Sequence, residues 1–159
     1  MQKLTHYLTI SILALYPYTA IASPVSDTQL NEAMTYVQQS MNKTHGDHTM
    51  FKPNIIQNNA SIDAVYSQYQ GRMFGRVLAF EKSGNVYLSE QFEYEQKSAL
   101  LVHELTHVYQ YQFKLEYPCN NAKESEAYTI ANAWAADHNQ FNLMVSNDFI
   151  QTISACSFF

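Results

Sequence analysis

His103, Glu104 and His107 stand in the order H-E-x-x-H inside "ALLVHELTHVYQYQ", residues 99–112. On a helix, residues four apart share a face, with Cβ atoms about 5–6 Å apart. The two histidines can then each aim a ring nitrogen at one zinc ion, about 2.0–2.1 Å away. Glu104 lies one step round the helix, outside that inner set but within reach of a water beside the metal. Zinc lowers the pKa of such a water, and a carboxylate at that place takes its proton. The residue types and their spacing point to metal-assisted hydrolysis, with His103 and His107 as ligands and Glu104 as general base. The plain alternative is a core helix with two histidines bonded to nearby carbonyls. A chain of this length with six His and nine Glu holds the pattern by accident roughly once in 80, so the context has to decide. That context is favourable. No Gly or Pro lies between Asn85 and Tyr117, and the flanks "SALLV" and "VYQYQF" are apolar enough to bury the helix under a cleft.

A catalytic zinc site takes three protein ligands and leaves a fourth position open. The stretch "KESEAYTIANAWAADH", residues 123–138, offers Glu124, Glu126 and His138. Glu124 and Glu126 are two apart and point to different faces of a helix, so one of them can meet the metal. Glu126 is favoured: Ala127 follows it, and Ala131 and Ala135 continue a run of small residues that lets two helices approach. Glu124 is the alternative. The other glutamate is then a solvated charge near the helix start, where it suits the dipole. Tyr111, Tyr117, Tyr128 and His138 are candidates to steady a developing oxyanion, each more simply read as a packed aromatic or an exposed histidine. His45 and His48, in "HGDH", are a weaker metal pair because Gly46 disfavours a helix there.

These residues need elements to hold them. Residues 27–43 read as an amphipathic helix, capped by Asp27 or Thr28, with Leu30, Met34, Val37 and Met41 at helical spacing. Residues 44–60 read as loop and 61–70 as a short helix. "MFGRVLAFEKSGNVYLS" reads as two strands, about 73–82 and 85–89, joined by the turn "KSGN". Helices about 95–114 and 122–138 follow, then a packed helical tail. The expected class is α+β: a small antiparallel sheet against an active-site helix and a glutamate-bearing helix.

Residues 1–22 read as a signal peptide. Lys3 precedes the apolar run "YLTISILALYPYTAIA", and Ala20 with Ala22 forms an A-x-A cleavage pattern before Ser23. The run is too short and interrupted to span a bilayer, which takes about 20 apolar residues, and no Cys follows the cut to carry a lipid anchor. The remaining residues 23–159 suit one domain. The formal charge is −5, and loss of Lys3 makes it −6. With no Lys/Arg cluster, nucleic acid is not an expected partner. Cys119 and Cys156, the only cysteines, read as one disulfide in an exported chain. Gln110 and Phe113 stand where the longer H-E-x-x-H-x-x-G-x-x-H pattern needs Gly and His, and no G-x-S-x-G is present.

"HELTHVYQ" resembles the active-site helix of zincin-type metallopeptidases, and "ESEAYTIANAW" resembles the glutamate helix of their gluzincin branch. That resemblance implies a zinc peptidase with His103, His107 and Glu126 as ligands and Glu104 as base. It also makes "GNVYLS" similar to the edge strand that pairs with an extended substrate. It covers about residues 75–135. One departure stands out: the acid expected one turn after the ligand Glu is Ile130. The implied protein is a monomer in the periplasm or medium, acting on a protein or peptide, with no lasting membrane anchor. A zinc-holding envelope protein without hydrolytic activity is the competing expectation.

Overall fold

The computed structural model describes residues 23–68, 78–140 and 145–156. The signal-peptide reading of residues 1–22 lies outside them, as does the first part of the expected strand at 73–77. Among the described residues, no helix is long and apolar enough to cross a membrane.

Helix α1 spans Asp27–His45. Its cap is Ser26, one residue before the expected pair. Ser26 Oγ accepts from the Gln29 N–H, while Gln29 Oε1 accepts from the Ser26 N–H, so two otherwise orphaned donors are satisfied together. Leu30, Ala33, Val37 and Met41 form its buried face. Met34 was expected there but is only half-buried. Gly46, at φ 89, ends the helix.

The sheet departs from expectation. Strand β1, Ile55–Gln57, falls in a segment read as loop. It pairs in parallel with β3, Asn85–Leu88, after α2, Asn59–Gln68, has returned the chain. Strand β2, Ala79–Lys82, pairs antiparallel with β3. The order is β1-β3-β2, so the sheet is mixed and "GNVYLS" supplies its central strand, not its edge. The α+β class stands. Ser83 and Gly84 both take positive φ, 55 and 79, the combination that matches a two-residue turn to the twist of a hairpin. Glu81 Oε1 accepts the Gly84 N–H at 2.6 Å and closes that turn.

Helix α3 spans Tyr94–Gln112, with a break in helical geometry at Lys97. Every residue from Leu101 to Gln110 is buried. It lies between α1, the β2–β3 hairpin and α4, Asn120–Asp137. Trp134 on α4 is 1% exposed and donates from its indole to Ser98 Oγ at 2.8 Å, joining α4 to the start of α3. Tyr36 on α1 packs edge-on against Trp134, centroids 5.0 Å apart, and its hydroxyl donates to Asp137. Tyr109 on α3 donates to Asn42 Oδ1 at 2.7 Å. The expected tail helix is α5, Asn147–Ser154, capped by Ser146. Cys119 at the start of α4 is disulfide-bonded to Cys156 beyond α5, with Cα atoms 5.9 Å apart.

That disulfide closes a loop spanning a sequence separation of 37. Loop-closure entropy alone then stabilises the fold by roughly 3–4 kcal/mol. Replacing both cysteines by Ala should lower unfolding free energy in urea by about that amount. A loss below roughly 1 kcal/mol would mean that α5 is held by its packing alone.

Candidate metal centre

The buried run of α3 contains five polar side chains: His103, Glu104, Thr106, His107 and Gln110. Each needs a partner, because an unpaired polar group out of water costs free energy. Thr106 bonds back to the Val102 carbonyl at 2.9 Å. His103, His107 and Gln110 face α4, and Glu104 turns toward β2. His103 Nε2 and His107 Nε2 are 3.1 Å apart. Glu124 Oε2 lies 3.5 Å from the first and 3.3 Å from the second. Among the described residues, these three are the group of His, Cys, Asp and Glu side chains whose ligand atoms come close enough to hold a metal ion.

The spacing suits zinc. Ligands about 2.0–2.1 Å from a tetrahedral ion stand about 3.3–3.4 Å from one another. The three separations, 3.1, 3.3 and 3.5 Å, bracket that value. Two imidazoles and one carboxylate are also a donor set that divalent zinc accepts. The cluster fits a metal ion by number, type and spacing of donors.

Of the two glutamates weighed on α4, the structure gathers Glu124 with the histidines, not the favoured Glu126. The reason is helical periodicity. Ala127, Ala131 and Ala135 lie three, seven and eleven residues after Glu124, which is one face of a helix. All three are fully buried. The same small residues are one, five and nine after Glu126, roughly 100–180° round the helix from it at 3.6 residues per turn. Glu126 turns to the other side, where three donors meet it: His45 Nε2 at 2.7 Å, Gln110 Nε2 at 3.2 Å and the Tyr117 hydroxyl.

Electrostatics agree with the geometry. Burial opposes the charged form of His107, yet Glu124 and Glu104 raise its pKa overall. Burial likewise opposes ionisation of Glu124, but the two histidines hold its carboxyl well below the usual range. The pocket thus favours positive charge at the point where the three ligand atoms meet. Glu104, 6% exposed, is pushed upward chiefly by burial. The histidines and a hydrogen bond from the backbone N–H of Glu81 oppose that shift. Glu81 belongs to β2, so the carboxyl one step round from the ligands touches the sheet edge.

The remaining candidates separate clearly. His138 stacks on Trp134 with centroids 3.6 Å apart. Tyr117 is engaged by Glu126. Tyr111 lies over the hairpin turn, where a Cβ at Gly84 would stand 3.2 Å from its ring. Tyr128 is the candidate beside the cluster, its ring 4.4 Å from that of His103. Burial, then Glu124 and Glu104, raise its pKa and keep it a neutral donor. His45 and His48 do not form a metal pair: His45 faces Glu126, and His48 stacks on Phe113. Gln110 was noted in the sequence only as a departure from the longer motif, with no role. Its Oε1 lies 2.7 Å from His107 Nδ1. The available signal was its i+3 position from His107, which places both on one helix face.

No family model, curated protein or solved structure matches the chain.

Equilibrium dialysis against zinc should load one ion per chain. His107→Ala and Glu124→Ala should each weaken binding by more than about 100-fold, beyond the loss typical of residues that only orient a ligand. Zinc binding that survives Glu124→Ala unchanged would remove this residue from the set.

Proposed function

We propose that this chain is an exported zinc-dependent peptide hydrolase of the zincin type. The observation that carries the reading is the triangle of His103 Nε2, His107 Nε2 and Glu124 Oε2, sized for one tetrahedral ion, with Glu104 buried beside it. The H-E-x-x-H motif and its likeness to zincin helices add support. The disulfide fits an oxidising compartment.

His103, His107 and Glu124 would hold the ion. When bound, zinc would supply Lewis acidity, polarising a substrate carbonyl and making a nearby water easier to deprotonate. Glu104 takes the proton from the attacking water and passes it to the amide nitrogen as the peptide bond breaks. Its raised pKa suits both halves of that transfer, because a carboxyl poised upward holds a proton better than a solvated one. Tyr128 donates its hydroxyl hydrogen to the substrate oxygen as negative charge grows there.

The hairpin gives an extended substrate a place to lie. Ser89 N–H bonds to the Leu78 carbonyl, and pairs continue at alternate positions along β2 and β3. By that alternation the backbone groups of Ala79 and Glu81 point away from β3. The Glu81 N–H reaches Glu104. A peptide added along this edge would bring a scissile bond to the metal cluster. Among the described residues the edge is therefore β2, in place of the β3 segment that the resemblance suggested.

Glu104→Gln should abolish cleavage of an unfolded protein substrate while leaving zinc content at the parent level. Cleavage at the parent rate by that variant would exclude Glu104 as base. Parent protein that is zinc-loaded yet turns over no peptide would favour the non-hydrolytic reading. Tyr128→Phe should lower kcat by about 10²–10³-fold with zinc retained, the range for loss of one oxyanion donor. A kcat unchanged by that substitution would leave Tyr128 a packing residue.

A further inference from the structure

Gln110 and Glu126 supply no atom to the ligand triangle, yet both are held by several partners. Their order is informative. The two ends of an amide have nearly the same shape, so its neighbours decide which way it faces. The Gln110 nitrogen donates to the Lys123 carbonyl and to Glu126 Oε2, each at 3.2 Å. Both partners are acceptors. The Gln110 oxygen must then be the end that faces His107 Nδ1, 2.7 Å away. An oxygen there requires a hydrogen on Nδ1. The lone pair of His107 is left on Nε2, the atom that meets His103 and Glu124.

Glu126 fixes the far end of this chain. Its carboxylate accepts from Gln110, from the Tyr117 hydroxyl and lies 2.7 Å from His45 Nε2. His45 is the last residue of α1, and Tyr117 lies in the connection between α3 and α4. Tyr117, raised in pKa by burial and by Glu126, stays a donor. Three segments of chain thus end on one carboxylate, one helix face away from the metal.

We propose that Glu126 and Gln110 form a positioning relay that keeps the proton of His107 on Nδ1 and so presents Nε2 to the metal. The proposal rests on the metal reading of the cluster. It also gives Glu126, set aside as a ligand, a task in the same centre.

The test uses the full chain and zinc alone, with affinity read by competition with a chromophoric chelator. Glu126→Gln removes the charged acceptor and frees the Gln110 amide to turn its nitrogen toward His107. Zinc should bind about 10–100-fold more weakly, with the circular dichroism spectrum unchanged. Gln110→Met, which leaves Glu126 with His45 and Tyr117, should show a similar loss and covers the case in which Glu126→Gln does not fold. The double variant Gln110→Glu/Glu126→Gln restores an acceptor for His107 and a donor to feed it, and should bind more tightly than Glu126→Gln. In metal-free protein at a pH where the ring is neutral, ring nitrogen shifts of His107 should report Nδ1–H in the parent and a shift toward Nε2–H in Glu126→Gln. Single variants that bind zinc like the parent, or an unmoved tautomer, would overturn the relay while leaving the metal site intact. A double variant no tighter than Glu126→Gln would reduce Glu126 to a structural tie. A parent that binds no zinc would overturn the metal reading itself, and the relay with it.

Discussion

Burying His103, Glu104 and His107 inside one helix sets the terms for the elements around them. A helix buried on every side is usually apolar all round, and α3 is not. From Leu101 to Gln110 it is closed in by α1, the hairpin and α4, with its ionisable groups enclosed. Isolated charges in such a place are costly, whereas charges with partners are tolerated. Each neighbour therefore brings something polar as well as something that packs. Helix α4 brings Glu124, β2 brings the Glu81 N–H, and the α1 terminus brings His45 to hold Glu126.

The apolar packing is arranged to permit this. The fully buried alanines of α4, Ala127, Ala131 and Ala135, leave its backbone free to approach α3. Close approach is what a short carboxylate such as Glu124 needs to reach two histidines on a facing helix. Trp134 fixes the other end of the same contact through Ser98, and Tyr36 covers the indole from α1. At the N-terminal end of α4 the Cys119–Cys156 bond ties α5 across its first turn. Glu124 thus sits between two anchors, which limits how far its carboxylate can drift from the triangle.

The parts legible in sequence were those set by local spacing. His103, Glu104 and His107 declare themselves by position on one helix, and the cysteines by number and context. Leu30, Val37 and Met41 announce the buried face of α1. What escaped depended on contacts between distant segments. Strand β1 is three residues long and pairs in parallel, so neither its length nor a turn signals it. Its presence alone converts β3 from an edge to the centre. The choice between Glu124 and Glu126 was in principle readable, because the face formed by the three alanines also carries Glu124 and not Glu126. Judging the residue next to each glutamate in sequence, and not three and seven places on, pointed to Glu126, whereas the structure groups Glu124 with the histidines. Gln110 was passed over because glutamine is not a ligand, and the histidine it orients is recognised without it.

The exposure of the three ligands bears on what the centre is for. A structural zinc site closes its shell with four protein ligands, while a catalytic one leaves a position for water or substrate. Here three donors converge, and no fourth joins them among the described residues. The His103 and His107 side chains are 7% and 8% exposed, but that of Glu124 is 43% exposed. The triangle is therefore sealed on the α3 side and open along α4. Glu104 borders it from the helix, Tyr128 from α4, and the outward groups of β2 from the sheet. A centre meant only to pin two helices together gains nothing from an open side and a further buried carboxyl. The proposed hydrolysis would use both, because a carbonyl and a water would have to reach an ion held there.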